Sequence, residues 1–321
     1  MRRDNDSDRT SPLKLSTCPF EARQQAMEEG MKERMSAAVD HARSRYHQRT
    51  LLEECVAFAA YNLTDAPSAT LELLRKVGFF PWVEAERDFD QALKQAILSH
   101  YKSVYDHLRR ALELVLVGAY LTSPMVTESE AVAWVRAEEE TPMFSRALKR
   151  LLSQPRYKAL DDATGWSKAI QDFYWSLCDV VHVRGMSASF NSVQPSWVSS
   201  GGTYVPAFFA ESLDRSLDAF VNTVRHACTV LAVNNPILLV GLPIEEKFGF
   251  DPPASGFFNE AQAARLRSLV IEEVKEHFSD VTRCDPEVNS IREWVLNRPD
   301  VTDAEFEAQV AAFHKMFPQR D

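Results

Sequence analysis

The stretch Ser167 to Gly185, SKAIQDFYWSLCDVVHVRG, places apolar residues at spacings of three and four. These positions are Ile170, Phe173, Tyr174, Leu177, Cys178 and Val181. Such spacing predicts one helix with a broad apolar face, and Gly185 supplies a helix stop. Because His182 and Arg184 follow the apolar face, we expect a titratable ring and a permanent cation at the end of a core helix.

The composition of the whole chain favours helices. Of 321 residues, 45% are hydrophobic and only 10 are Gly. Scarce glycine disfavours glycine-rich β architectures and phosphate-binding glycine loops, and the stretches rich in Ala, Leu, Glu and Arg favour helix. The five cysteines are dispersed without a Cys-x-x-Cys pair, which disfavours a zinc site and fits reduced thiols, with Cys55, Cys178 and Cys228 packed in the core. We therefore predict an all-α fold.

The helical bundle is expected to be followed by a smaller helical module. We predict a disordered N-terminus over 1–20, a bundle over 21–242, a linker over 243–258 and an acidic helical tail module over 259–321. From residue 242 onward the chain carries 9 Lys and Arg against 16 Asp and Glu. We expect that tail to bind a protein partner or to pack on the bundle.

The apolar periodicity predicts individual helices of different lengths. The predicted helical stretches are 20–61, 71–77, 89–121, 207–233, 260–278, 286–296 and 303–317. Shorter helices should start at Thr127, in capping-box style, and at Thr141. Residues 186–206, rich in Ser, form the longest predicted loop, and 196–205 suit a small hairpin. Five of the six tryptophans are expected to be core or interface anchors rather than ligand stackers, namely Trp82, Trp134, Trp166, Trp175 and Trp294.

Charge limits the nucleic-acid functions that fit the chain. The formal net charge of −10 disfavours non-specific binding to phosphate backbones, although a local basic patch can still bind. The densest positive cluster is the segment 43–49, RSRYHQR. It is either a solvated helix face or an anion- or RNA-facing patch on which Tyr46 stacks.

A second polar segment lies within the predicted helix 89–121. It reads YDHLRRALE from Tyr105 to Glu113. Arg109 and Glu113 are four residues apart and can pair along a helix, weakly at the surface and as part of a site if buried. Arg110 adds a further cation beside them.

The segment Tyr105 to Glu113 and the opening stretch Ser167 to Gly185 together resemble the HEPN (higher eukaryotes and prokaryotes nucleotide-binding) family of helical domains. The opening stretch carries the pattern Phe173-Tyr-x-x-Leu-x-Asp179-x-x-His182-x-Arg184-Gly185, and the resemblance covers about residues 90–235. It implies a four- to five-helix bundle that is often a homodimer, found in bacterial toxin–antitoxin and anti-phage systems. Active members are metal-independent ribonucleases that pair an Arg with a His four to six residues downstream.

The resemblance makes His182 and Arg184 the candidate catalytic residues. His182 matches the family's His, but upstream of it stand Trp175, Ser176 and Leu177, and Arg184 lies on the other side. Either Arg184 or Arg109 replaces the missing Arg through space, or the domain binds without cleaving. Supporting or RNA-contacting roles fall on Arg109, Arg110, Glu113 and Asp179.

Metal-free RNA cleavage needs a base for the 2′-hydroxyl and a cation for the developing phosphorane charge. His supplies the base near neutral pH, and the fork of Arg matches phosphate oxygens. The structural alternative is a capping His at a helix C-terminus, where positive charge is favourable. At the level of the whole protein the alternative is a non-catalytic interaction or scaffold protein that binds a partner.

Other classes of site find no support in the sequence. There is no His-Glu-x-x-His, Gly-x-Ser-x-Gly or Gly-Lys-Ser/Thr motif, so we expect no cofactor and no metal. No apolar run reaches the roughly 20 residues that span a membrane, and Met1 to Thr10 lacks an apolar signal segment. We expect a cytoplasmic protein that makes no contact with membranes.

Overall fold

The computed structural model describes residues 24–25, 28, 30–63, 80–123, 125–182, 197–200, 203–249 and 257–316. The fold is all-α, as predicted. The α-helices are α1 Met31–Ser44, α2 Arg49–Tyr61, α3 Phe80–Ile97, α4 Tyr101–Leu121, α5 Glu128–Val135, α6 Phe144–Leu151, α7 Pro155–Thr164, α8 Trp166–Val181, α9 Ala210–Asn234, α10 Ile244–Phe248, α11 Glu260–Leu269, α12 Lys275–Cys284, α13 Pro286–Leu296 and α14 Asp303–Met316. Among these residues, no helix has the length and apolar character to cross a membrane.

Helix α4 lies at the centre of the bundle. It packs against α3, α9, α8 and α6. Its buried residues form one face from Tyr101 to Leu112 and surround the helix from Val115 to Ala119. Gly118 lets the fully buried Trp82 of α3 approach closely, because a Cβ there would lie 2.6 Å from Trp82 Nε1. The core therefore encloses the C-terminal part of α4, whereas the polar residues of its N-terminal part lie between the neighbouring helices and the surface.

The prediction of one helix over 89–121 is wrong, because the chain reverses at residues 98–100. Ser99 adopts a left-handed conformation with φ of 64°, and the His100 amide donates to Gln95 O at 2.8 Å. Neither Gly nor Pro marks this turn, and apolar periodicity continues across it. The reversal lays α3 along α4.

The N-terminal helical stretch also divides. Between α1 and α2, Tyr46 is buried, and its hydroxyl donates to Asp218 of α9 at 2.8 Å. Next to it, His41 Nε2 lies 2.8 Å from Asp214 Oδ1, also on α9. Of the two alternatives for the segment 43–49, the one in which Tyr46 stacks on a nucleic acid is therefore excluded, because its ring belongs to the core.

Several shorter elements follow the predicted local chemistry. Thr127 and Glu130 form the predicted capping box of α5, and Asp285 caps α13 through the amides of Glu287 and Val288. Helix α9 closely matches the predicted stretch 207–233. Cys55, Cys178 and Cys228 are buried and free, as predicted.

Two strands lie within the region predicted as a long loop. Strand β1, Trp197–Ser200, pairs antiparallel with β2, Thr203–Pro206, with Trp197 opposite Pro206 and Ser200 opposite Thr203. The predicted helix 71–77 and the first part of the predicted loop, residues 186–196, lie outside the described residues.

The C-terminal helices pack against the bundle. The predicted helix 260–278 is divided by Val270, whose ψ of 150° ends α11, and by a short 3₁₀ turn, Glu272–Val274, before α12. Arg225 of α9 donates to the carbonyls of Leu269 and Val270. Phe258, Leu266 and Leu269 belong to the same buried cluster as the bundle core.

Candidate functional site

A groove of about 620 Å³ opens between α4, α6 and α8. Four predicted site residues line it, namely Arg109, Arg110, Glu113 and His182. Asp179 lines an adjoining pocket that shares Trp175, Cys178 and His182 with the groove. Arg184 lies outside the described residues. The groove therefore brings together residues that are about seventy positions apart in the sequence.

Helix α8 delivers His182 to this groove. Its apolar face buries Ile170, Tyr174 and Leu177, which fixes the rotation of the helix. The helix ends with His182 as its C-cap, whose amide donates to Cys178 O at 2.8 Å. The residue itself is exposed, so its ring lies at the surface rather than in the core.

Helix α4 contributes an ion pair that is tied to α8. Arg109 Nη1 lies 3.8 Å from Glu113 Oε1, and Arg109 Nη2 lies 3.5 Å from Asp106 Oδ1. The hydroxyl of Tyr174 donates to Glu113 Oε1 at 2.5 Å. Burial and the neighbouring Glu113 carboxylate raise the pKa of Tyr174, so this phenol stays protonated and remains a donor near neutral pH. Arg109 Nε is buried without a hydrogen-bond partner among the described residues.

Arg110 is held by a carboxylate from α3. Its Nε donates to Asp88 Oδ2 at 3.1 Å and its Nη2 donates to Asp88 Oδ1. His107 Nδ1 lies 2.8 Å from the same Oδ1. The Arg110 side chain is 49% exposed, whereas that of Asp88 is 7% exposed. A buried carboxylate therefore anchors a half-exposed cation at the groove.

Sequence reasoning missed Asp88. The signal lies in its position, three residues after Ala85 and one before Phe89, both of which are buried on the core face of α3. A charged residue on an apolar face is rarely buried without a partner. Its partners could not be predicted from the sequence pattern, because they lie on α4, which the turn at 98–100 places beside α3.

The wall of the groove is aromatic and its rim is apolar. The ring of Tyr174 stacks on Phe144, with centroids 3.8 Å apart and planes 6° apart, and Trp175 meets Tyr174 edge-on at 5.4 Å. Trp175 is 48% exposed and Met143 is 80% exposed. Trp82 and Trp166 are core residues, as predicted. Trp175 is instead half exposed and has an accessible face in the groove.

Cys178 lines the groove but is not an activated nucleophile. Its pKa is raised by burial, which outweighs the opposing effects of Tyr174 and Arg109. A thiol with a raised pKa stays protonated and unreactive near neutral pH. We therefore assign Cys178 a packing role.

A second cleft lies between α7, α9 and α12, with a volume of about 410 Å³. Its lining includes Ala232, Val233 and Phe278, together with Arg156 and Asp285. Arg156 pairs there with Asp285 at 3.2 Å and with Glu287 at 2.6 Å. No predicted site residue lines this cleft.

Within the described residues, no group of three or more His, Cys, Asp or Glu side chains is arranged to hold a metal ion. No protein-family model, curated protein or solved structure matches the chain. The candidate site is therefore defined by its own geometry. It combines an exposed imidazole, two arginines and an aromatic surface in one groove.

Proposed function

We propose that this chain is a HEPN-like protein that binds RNA in the groove between α4, α6 and α8 and cleaves it without a metal. One observation carries the proposal. His182, the residue that matches the family's histidine, is exposed and lines the same groove as Arg109 and Arg110. The motif is degenerate in sequence, because no Arg precedes His182 at the family spacing. In this proposal, arginines from α4 supply the positive charge from across the groove.

The proposed reaction is a transfer of the phosphoryl group within the RNA. His182 takes the proton of a 2′-hydroxyl, and the resulting oxygen attacks the neighbouring phosphorus. The bond to the 5′-oxygen breaks, that oxygen takes a proton from water, and a 2′,3′-cyclic phosphate remains. Arg109 and Arg110 stabilise the charge that develops on the phosphoryl oxygens.

The aromatic surface of the groove suits the bases of an RNA strand. An unpaired base gains roughly 1–3 kcal/mol by stacking on an aromatic ring. The half-exposed Trp175 offers such a face beside the cations, and Met143 offers a flexible apolar contact. Arginines for phosphates and a ring for a base are thus present in one groove.

Three further parts of the proposal rest on the resemblance or on composition. A role in a prokaryotic defence or toxin–antitoxin system, and a homodimer, follow from the HEPN likeness. A protein partner for the acidic C-terminal helices follows from their charge. Size-exclusion chromatography with light scattering tests the dimer directly.

A scaffold protein is the second candidate. It is favoured by the exposure of Met143 and Trp175, because exposed Met and Trp side chains are also typical of protein interfaces. In that case the groove receives an apolar side chain of a partner, and His182 carries out no chemistry.

The deciding experiment is RNA cleavage in EDTA by the full chain. Wild type is compared with His182→Ala and with His314→Ala, an exposed histidine of α14 away from the groove, and circular dichroism checks folding. We expect cleavage by wild type and His314→Ala, none by His182→Ala, and a cyclic phosphate product. Equal cleavage by all three would exclude His182 as the base. If wild type neither cleaves nor binds RNA, the RNA proposal is wrong and the scaffold function replaces it.

A further inference from the structure

Asp88 is a buried carboxylate whose hydrogen bonds all lead to one edge of the groove. It lies on α3, and its side chain is 7% exposed. Its two oxygens accept from Arg110 and from His107, both on α4. A buried carboxylate without such partners would cost several kcal/mol of stability, on the order of the penalty for an unpaired buried ion. The buried Asp88 carboxylate is therefore stabilised by its hydrogen bonds with these two residues.

The hydrogen bonds of His107 indicate that its Nδ1 carries a proton. Its Nδ1 lies 2.8 Å from Asp88 Oδ1 and 3.2 Å from Arg110 Nη2. A carboxylate only accepts and a guanidinium only donates, so Nδ1 cannot satisfy both with one proton arrangement. The shorter contact to Asp88 requires the proton on Nδ1. Asp88 thus orients the imidazole and the guanidinium together.

The guanidinium of Arg110 keeps one edge free of Asp88. Its Nε and Nη2 are both engaged by that carboxylate, which leaves Nη1 with two N–H groups. Nη1 makes no hydrogen bond to any of the described residues. Two bonds to one carboxylate hold the planar group far more rigidly than one bond would.

We propose that Asp88 is a positioning residue, which holds the guanidinium of Arg110 so that its Nη1 edge binds an RNA phosphate in the groove. This inference rests on the proposed function. It goes beyond that function because it assigns a role to a buried residue of α3 that does not line the groove. Rigid orientation is valuable because a correctly placed donor costs no reorganisation when the phosphate binds.

A purely electrostatic role for Asp88 makes the opposite prediction. Its negative charge offsets the positive charge of Arg110, so removing it leaves the groove more positive. Phosphate binding governed by charge alone would then become tighter. If orientation governs binding, the same substitution weakens it. The sign of the change in affinity therefore separates the two roles.

The test measures binding of a short fluorescein-labelled single-stranded RNA to the full chain in EDTA, with 2′-O-methyl groups in place of the 2′-hydroxyls so that the proposed cleavage cannot occur. The variants are Asp88→Asn, Arg110→Ala and the double variant. Glu54→Gln is the matched control, because it removes one carboxylate from an ion pair with Arg265 away from the groove. Thermal unfolding checks each variant. We expect Asp88→Asn and Arg110→Ala each to weaken binding roughly tenfold, the loss of one charge-assisted hydrogen bond.

The double variant is expected to bind no more weakly than Arg110→Ala alone, because Asp88 acts through Arg110. The Glu54→Gln variant should bind as wild type does. If Asp88→Asn binds as well as wild type or more tightly, the positioning role is overturned while RNA binding stands. A further loss of affinity in the double variant would likewise show that Asp88 acts by another route.

Nuclear magnetic resonance of the arginine side chains tests the positioning without RNA. The Arg110 Nε–H signal is assigned by its loss in Arg110→Lys. It should exchange slowly with solvent in wild type and rapidly in Asp88→Asn. If wild type binds no RNA but shows this protection, the proposed function fails and the hold of Asp88 on Arg110 stands. Rapid exchange in wild type would contradict the conclusion that Asp88 fixes the Arg110 guanidinium.

Discussion

The hydroxyl of Tyr174 donates a hydrogen bond to Glu113 Oε1 and so links α8 to α4 inside the groove. Tyr174 is almost fully buried and stacked on Phe144. Glu113 also faces Arg109. One carboxylate therefore connects the helix that carries His182 with the helix that carries the arginines.

We expect Tyr174→Phe to lower the free energy of unfolding by roughly 1–3 kcal/mol, the range for a lost hydrogen bond to a charged partner. The ring and its stacking remain, so the loss reports on the hydroxyl. Glu113→Gln should cost less, because the amide oxygen still accepts from Tyr174. Urea unfolding followed by circular dichroism measures both. A Tyr174→Phe variant as stable as wild type would contradict a structural role for this bond.

The close contact between Gly118 and Trp82 leads us to predict that a side chain added at Gly118 lowers the stability of the protein. Replacing Gly by Ala within a helix ordinarily stabilises by about 1 kcal/mol. Here the new Cβ would lie 2.6 Å from Nε1 of a tryptophan that has no room to move. We expect Gly118→Ala to destabilise by about 1–2 kcal/mol net, because overpacking outweighs propensity.

The control for that prediction is the pair Trp82→Phe and Gly118→Ala/Trp82→Phe. A smaller ring leaves space for the methyl group, so Gly118→Ala should cost much less in this background. Thermal unfolding gives the four stabilities of the cycle. Stabilisation by Gly118→Ala in the wild-type background would mean that the two helices separate without cost.

Local sequence signals predicted most helices and failed at three turns, near Tyr46, Ser99 and Val270. Periodicity located α8 and α9, and capping residues located the starts of α5 and α13. The turns at Ser99 and at Val270 contain neither Gly nor Pro. They are stabilised by packing of the helices on either side, which is a tertiary effect that a periodicity argument does not include.

Within the candidate site, the sequence predicts the contacts between residues of one helix but not the contacts between helices. The pairing of Arg109 with Glu113 follows from a spacing of four residues. The bond from Asp88 to Arg110 depends on the reversal between α3 and α4, and that from Tyr174 to Glu113 depends on the packing of α8. His182 and the arginines likewise line one groove only because α8 packs on α4 in the folded bundle.

We expect the folded protein to lose stability in mild acid because of His226. It lies on α9, stacked against Phe173 of α8, and Nδ1 has no hydrogen-bond partner among the described residues. Burial, assisted by the nearby positive charge of Arg225, lowers its pKa from 6.5 to about 4. Between these values the unfolded chain takes up a proton that the folded chain does not. Stability therefore falls as the pH drops through this window, by up to about 3 kcal/mol.

Urea unfolding at a series of pH values between neutral and mildly acidic measures this effect. The His226→Gln variant is the control, because it keeps a polar side chain and removes the titration. Other groups titrate equally in both proteins, so the difference between the two curves isolates His226. We expect the difference to shrink steadily as the pH falls from 6.5 towards 4. Parallel curves would mean that the imidazole is hydrated in the folded state.

The C-terminal helices provide the last prediction, which concerns whether the bundle over 21–242 folds alone. Arg225 and Thr229 of α9 hydrogen-bond to backbone atoms of residues 269–271. Phe258 packs edge-on against Phe58 of α2. Removing residues 243–321 would leave these polar groups unpaired and expose apolar core. We expect that truncation to bind a hydrophobic dye, to lose cooperative unfolding and to aggregate.

Removal of 303–321 alone is the matched control, because α14 has no buried residue among those described. We expect this shorter truncation to unfold cooperatively, with a midpoint close to that of the full chain. Calorimetry of the full chain should then show one transition for the bundle together with α11–α13. A monomeric, cooperatively folded fragment ending at residue 242 would instead establish the bundle and the tail as independent domains. In that case the contacts of Arg225 and Phe258 would join two domains that are each stable on their own.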